Sequence, residues 1–132
     1  MTETKSSSGV TAVGRVMIPV SDQDRALAFY TDTLGFETRA DIPFGDGNRW
    51  IEVAPAGGAT ALALVQPREG EATGVETRIA LDSANIDATH AELRERGVDV
   101  DPEVMRMGGP VPPMFWFRDP DGNRLLIVEP GR

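Results

Sequence analysis

The chain carries one pattern of apolar and polar residues twice, and this repeat limits the folds that it can adopt. Each copy predicts a strand, a helix and three further strands, and placing Arg15 over Arg78 superimposes the copies at an offset of 63 residues. The first copy covers residues 13–66 and the second residues 75–130, with a polar linker at 67–74. Neither copy is large enough to bury a stable core alone, so we expect one α+β domain of two βαβββ modules in tandem, spanning residues 13–132.

The elements follow from local signals in each copy. In the first, alternation over residues 14–20 predicts a strand, Ser21 or Asp22 can cap a helix over about 23–34, and Gly35 can end it. Residues 37–42, 49–53 and 59–66 predict three more strands. The second copy predicts a strand at 76–81, a helix from 84 or 85 to about 96, and strands at 98–105, 114–117 and 124–128.

Composition narrows the function classes. The net charge of −8 argues against nucleic acid or an anionic membrane as partner, because phosphate binding needs a basic surface. The chain has no cysteine, which excludes disulfides and thiolate chemistry, and the cytoplasm is the default location. Residues 1–12 lack the apolar segment of a signal peptide and predict a disordered tail.

A turn signal near the C-terminus is unusually complete. Asp119-Pro120-Asp121-Gly122 has the residues that a type I turn favours at its first, second and fourth positions. It lies between the apolar runs 114–117 and 125–128, so it predicts a β-hairpin.

This hairpin resembles the last hairpin of the vicinal oxygen chelate superfamily, which includes glyoxalase I, extradiol dioxygenases and bleomycin-resistance proteins. The segments 18–22, 25–30 and 34–36 are similar to the family's opening strand and helix. The resemblance covers about residues 13–130 and implies paired βαβββ modules whose curled mixed sheet forms a concave ligand cavity. Family habit also implies a homodimer.

The resemblance gives a specific expectation about metal. Members that bind metal use His, Gln or Glu from the first and fourth strand of each module, and those positions here fall on Arg15, Ala63, Arg78 and Leu126. Arginine is cationic with no free lone pair, and alanine and leucine have no ligating atom. We therefore expect no metal site and no cofactor.

The same positions predict a different kind of pocket. Two arginines would face one cavity beside an aromatic wall, and guanidinium groups suit carboxylate or phosphate. The candidate ligand-binding residues are Arg15, Met17, Ala63, Arg78, Met114, Trp116 and Leu126. The alternative is that each arginine pairs with a carboxylate such as Glu52 or Glu76, or points to solvent.

Other candidates carry less weight. His90 is the only histidine, and its place at the edge of a helix stripe favours a structural or surface role over catalysis. Trp50 can line either the pocket or the core, and a place in the core is slightly favoured. Glu52 and Glu129 are the acids closest to the predicted site, and Glu129 is expected to face solvent.

Together these features favour a metal-independent protein that binds an anionic or amphipathic small molecule, with drug-sequestering resistance proteins as the model within the family. The alternative is an enzyme, such as a glyoxalase-like lyase or isomerase, or a dioxygenase, with an atypical or absent metal site. A structural or regulatory partner protein is a third possibility. No catalytic residue is assigned, and no nucleic acid or membrane is expected as partner.

Overall fold

A computed structural model describes residues 8–131. The strands are β1 (Arg15–Pro19), β2 (Glu37–Pro43), β3 (Arg49–Ala54), β4 (Ala61–Val65), β5 (Glu76–Asp82), β6 (Asp99–Val100), β7 (Met114–Arg118) and β8 (Arg124–Val128). The helices are α1 (Gln23–Ala28), which continues as a π-helical turn (Phe29–Thr33), and α2 (Ile86–Glu95). The predicted tail lies partly outside the described residues, and residues 8–14 contain no helix or strand.

The strands form two mixed four-stranded sheets of the same topology. The orders are β1-β4-β3-β2 (sheet one) and β5-β8-β7-β6 (sheet two), and the described strands do not close into a barrel. In each sheet the first and fourth strands of the module pair in parallel, and the other pairs are antiparallel. Asp22 and Asn85, which are 63 residues apart, cap the two helices. The predicted α+β fold of two βαβββ modules is confirmed.

One apolar core joins the two modules. Ile18, Ile51 and Leu64 from sheet one and Phe115 and Leu125 from sheet two belong to the same buried cluster. The helices contribute to this cluster from α1, its π-helical turn and α2. Each sheet therefore has one face covered by helices and a second face, which we call its open face.

Two elements differ from the expected ones. The first helix changes to π-helical geometry, in which the N–H of Leu34 donates to the carbonyl of Phe29 at 3.0 Å. The predicted strand at 98–105 is reduced to β6 and an isolated bridge between Met105 and Met114. Pro102 explains the break, because proline has no N–H to donate to a neighbouring strand.

The C-terminal hairpin forms the predicted turn and holds the modules together. The N–H of Gly122 donates to the carbonyl of Asp119 at 2.8 Å. Asn123, fully buried, donates to the carbonyl of Pro19 at 2.9 Å and accepts from the N–H groups of Gly74 and Val75, both at 2.9 Å. We call this set of four hydrogen bonds, completed by the one from Asn123 Nδ2 to Asp119, the Asn123 clasp.

No helix within residues 8–131 is long and apolar enough to cross a bilayer.

Candidate functional site

The open face of sheet one is lined by residues that alternate with the core. Its side chains come from Arg15, Met17, Trp50, Glu52, Ala61 and Ala63, because their strand neighbours Val16, Ile18, Ile51, Val53, Leu62 and Leu64 belong to the core cluster or pack against it. Ala63 lies between Met17 and Glu52 in the strand pairing. Met17 is 59% exposed, whereas Ala63 is fully buried and contributes only to the floor.

A single carboxylate oxygen organises this face. Glu52 Oε2 accepts a hydrogen bond from Arg15 Nε at 3.0 Å and another from Trp50 Nε1 at 2.7 Å. The Glu52 side chain is only 15% exposed, so its charge depends on the arginine for compensation. Arg15 is therefore ion-paired, as the alternative in the sequence analysis allowed, and Trp50 is held in one orientation.

The open face of sheet two carries the other aromatic wall. Trp116 pairs with Leu126, and Leu126 pairs with Ala80 across the sheet, so these three side chains form one row. The Arg124 guanidinium lies over the Trp116 ring, 4.8 Å from its centroid, and is 3.6 Å from a Glu76 carboxylate oxygen. The row is apolar and partly exposed.

Arg78 occupies an irregular part of β5. The pairing of β5 with β8 shifts between Glu76 and Ala80, and Arg78 has a φ of 60°, in the left-handed region. Such a conformation costs free energy in a residue other than glycine. Within residues 8–131 the exposed Arg78 side chain makes no hydrogen bond or ion pair, unlike Arg15.

The seven predicted ligand-binding residues thus divide between the two open faces. Arg15, Met17 and Ala63 lie on sheet one. Arg78, Met114, Trp116 and Leu126 lie on sheet two. No hydrogen bond or ion pair in the described part of the chain joins the two sets, so their meeting in one cavity stays a prediction.

The four family metal positions do not fit a metal ion. Arg15 is bound to Glu52, Ala63 is buried, and Leu126 lies in the apolar row with Trp116. A shift of two residues along each first strand brings in Met17 and Ala80, which are no better ligands for a divalent ion. Residues 8–131 contain no group of three or more His, Cys, Asp or Glu side chains arranged to hold a metal.

The remaining titratable candidates have structural partners. His90 is buried, contacts the Phe115 ring edge-on at a centroid distance of 4.8 Å, and its Nε2 donates to the carbonyl of Asp101 at 2.6 Å. Glu129 accepts from the N–H of Ile86 at 2.9 Å and so helps cap α2, rather than facing solvent. The structural role favoured for His90 is consistent with these contacts.

The preference for a core position of Trp50 is wrong. It is partly buried on the open face of sheet one and not in the core. The signal that could have placed it is the alternation in β3: Ile51 and Val53 face the core, so Trp50 must share the side of Glu52.

Comparisons with known proteins agree with this architecture. A solved structure from Sphaerobacter thermophilus DSM 20745, a member of the glyoxalase/bleomycin resistance protein/dioxygenase superfamily, is 38% identical with a TM-score of 0.84, over 91% of this chain and 98% of that one. TnmS3, an antibiotic binding protein from Streptomyces sp. CB03234, is 36% identical with a TM-score of 0.82, over 95% of this chain and all of that one.

More distant is the metallothiol transferase FosB of Shouchella clausii (strain KSM-K16), which is 28% identical over 127 residues, 92% of this chain and 82% of that protein. The family model for these proteins matches residues 12–127. With the paired modules and the terminal hairpin in place, this match shows that the chain belongs to the glyoxalase/bleomycin resistance protein/dioxygenase superfamily.

Proposed function

We propose that this chain is a metal-independent binding protein that sequesters a small anionic or amphipathic molecule on the open faces of its sheets. One observation carries the proposal: the four positions that hold metal in the family carry residues without a ligating atom, namely Arg15, Ala63, Arg78 and Leu126. Met17, Trp116 and Leu126 supply apolar contact area on the two faces.

The similarity to TnmS3 supports a binding role. That protein is an antibiotic binding protein, and its whole length matches this chain at 36% identity. Sequestration needs a complementary surface and no reacting group, which agrees with the absence of an assigned catalytic residue. It also explains how a fold shared with enzymes can serve without their metal ligands.

Of the two predicted arginines, Arg78 is the better candidate for contact with an anion. The Arg15 guanidinium is committed to Glu52, so Arg15 serves mainly to neutralise that carboxylate and hold Trp50 in place. Arg78 is exposed, and a ligand anion would gain a charge-assisted hydrogen bond from it without breaking an ion pair.

The enzyme alternative, a glyoxalase-like lyase or a dioxygenase, has less support. FosB is a metallothiol transferase, but the corresponding positions of this chain do not offer a ligand set. Glu52, the acid on the open face of sheet one, accepts from Arg15 and Trp50 through one oxygen, and these contacts support a structural role for it. The homodimer and the cytoplasmic location stay predictions.

Metal content and ligand binding test the proposal together. We expect purified protein to contain much less than one equivalent of Zn, Ni, Fe or Mn, and its thermal stabilisation by carboxylates and phosphates to be unchanged by EDTA. A ligand at a hundred times its Kd should stabilise the fold by about 2.7 kcal/mol. Stoichiometric metal whose removal abolishes ligand binding would overturn the metal-independent assignment.

The arginine assignment needs a matched pair of variants. Arg78→Ala should weaken binding of the stabilising anion by about fivefold, the scale of an exposed charge contact. Arg94→Ala removes an exposed arginine of α2, on the other side of sheet two, and should leave binding unchanged. Equal stabilisation of both variants would contradict the role of Arg78.

A further inference from the structure

A cavity lies at one end of the open face of sheet one, next to the start of the linker. Its volume is about 470 Å³, within the range of small-molecule sites. The floor includes Met17 and Trp50, one wall is the β2–β3 turn with Phe44, and the opposite wall is the linker with Arg68 and Glu71. We call it the linker cavity. None of its linker or turn residues belongs to the predicted site.

Large apolar side chains around the linker cavity are exposed to water. Phe44 is 61% exposed and Met17 is 59% exposed, which leaves apolar area that a ligand could cover. The backbone N–H of Phe44 donates to the carbonyl of Asn48 at 3.1 Å and closes the turn that carries Phe44. Trp50 is fixed by its hydrogen bond to Glu52. An oriented indole beside an exposed phenyl ring suits a rigid planar ring, which would lose little entropy on binding.

The charges around the cavity differ in their availability. Arg49 donates two hydrogen bonds to Asp41, at 3.0 and 2.8 Å, and also binds Asp24, so these carboxylates raise its pKa and neutralise its charge locally. Arg68 is 89% exposed, and its Nε is 3.9 Å from a Glu71 oxygen. That same oxygen already accepts from the backbone N–H of Arg68 at 2.9 Å. The Arg68 guanidinium is therefore the cation that an incoming anion can reach.

We propose that the linker cavity binds planar aromatic molecules that carry one anionic group, with the ring against Trp50 and Phe44 and the anion on Arg68. This inference rests on the proposed binding function and deepens it, because it assigns the ligand class and makes the linker part of the site. The cation of this site comes from the linker and not from the two arginines of the repeat.

Two fluorescent probes that differ by one charged group test this assignment. 1-Anilinonaphthalene-8-sulfonate carries a sulfonate, and N-phenyl-1-naphthylamine is the same aromatic body without it. The chain has two tryptophans, so Trp116→Phe leaves Trp50 as the only tryptophan donor and Trp50→Phe leaves Trp116. Because Trp50 is itself a proposed contact, quenching is compared with each variant saturated by probe. We expect both probes then to quench Trp50 by energy transfer more strongly than Trp116, and the sulfonate to bind the wild-type chain more tightly than the neutral probe does.

Surface variants then distinguish the contact with the aromatic ring from the contact with the anionic group. Arg68→Gln should weaken binding of the sulfonate probe by about fivefold and change the affinity for the neutral probe by less than about twofold. Arg94→Gln should change neither affinity. Phe44→Ser should weaken the binding of both probes by about tenfold, because it removes apolar contact area. All three sites are exposed, and circular dichroism is used to check that each variant is folded.

The possible failures are distinguishable. If neither probe binds the wild-type chain but a carboxylate or phosphate stabilises it, this inference fails and the proposed binding function stands. If none of these molecules binds, both fail. If the probes bind but quench Trp116 more than Trp50, the linker cavity is the wrong site and the binding function stands. If Trp50 is quenched but Arg68→Gln leaves the sulfonate affinity unchanged, the assigned anion contact is wrong.

Discussion

At the scale of single residues, strand alternation was sufficient to predict which side chains share a face. Arg15 and Met17 lie opposite Val16 and Ile18 as expected, because successive residues of a strand point to opposite sides. The partner of Arg15 could not be settled in the same way. The pairing with Glu52 depends on how β1, β4 and β3 align, and that alignment is a tertiary property.

Tyr30 offers a test at the same scale. Its hydroxyl donates to Asp119 Oδ2 at 3.0 Å, and burial, followed by the nearby Asp119 charge, raises its pKa well above the ordinary value of 10.0. The folded chain keeps this proton where the unfolded chain releases it. The stabilisation is therefore complete below about pH 10 and is lost as the pH rises further.

Because Tyr30 is the only tyrosine, the ultraviolet absorbance of tyrosinate reports on it alone. We expect no tyrosinate signal in the folded protein at about pH 10.5, and about three-quarters of the full signal when urea unfolds it at that pH. Tyr30→Phe should cost about 1 kcal/mol near neutral pH and should reduce the loss of stability above pH 10. Tyrosinate absorbance from the folded protein at its ordinary pKa would contradict the buried hydrogen bond.

At the scale of elements, local signals predicted the strands and both helix caps well. They failed to predict the π-helical turn, which begins at Phe29, where this side chain packs against Phe117 of the other module. Local signals also predicted the Asp119–Gly122 turn, but they did not indicate that this turn joins the two modules. The Asn123 side chain reaches the end of β1 and the linker, and no local pattern indicates that reach.

The Asn123 clasp should dominate the stability of this hairpin. Asn123→Ala removes four hydrogen bonds and leaves two backbone N–H groups without their acceptor, so we expect a loss of about 3 kcal/mol or more in the free energy of unfolding. Asn85→Ala is the matched control. It removes one capping hydrogen bond to Ala88 and should cost about 1 kcal/mol. Urea denaturation measures both, and equal losses would show that the clasp adds little.

At the scale of the whole molecule, the shared core makes the two modules one folding unit. Phe29 stacks against Phe117 at a centroid distance of 6.4 Å, and Tyr30 reaches Asp119, so α1 and its π-helical turn contact both sheets. The repeat predicted that the modules pack together, because a half-length chain buries too little apolar area. It could not predict which surfaces meet.

Cooperative unfolding follows from this arrangement and can be followed with one tryptophan in each module. Trp116→Phe reports on sheet one through Trp50, and Trp50→Phe reports on sheet two through Trp116. Each variant's fluorescence transition in urea should coincide with its own circular dichroism transition. Separate transitions for the two probes of one variant would mean that the modules unfold independently.

The equivalent position of the first module does not form a counterpart of the Asn123 clasp. Thr60, which is 63 residues before Asn123, donates from its hydroxyl to the carbonyl of Val13 within its own module and does not reach the other. Gene duplication produces two identical halves, and either half can then come first without consequence. Here one turn of the second half holds the junction, so the two halves are no longer interchangeable.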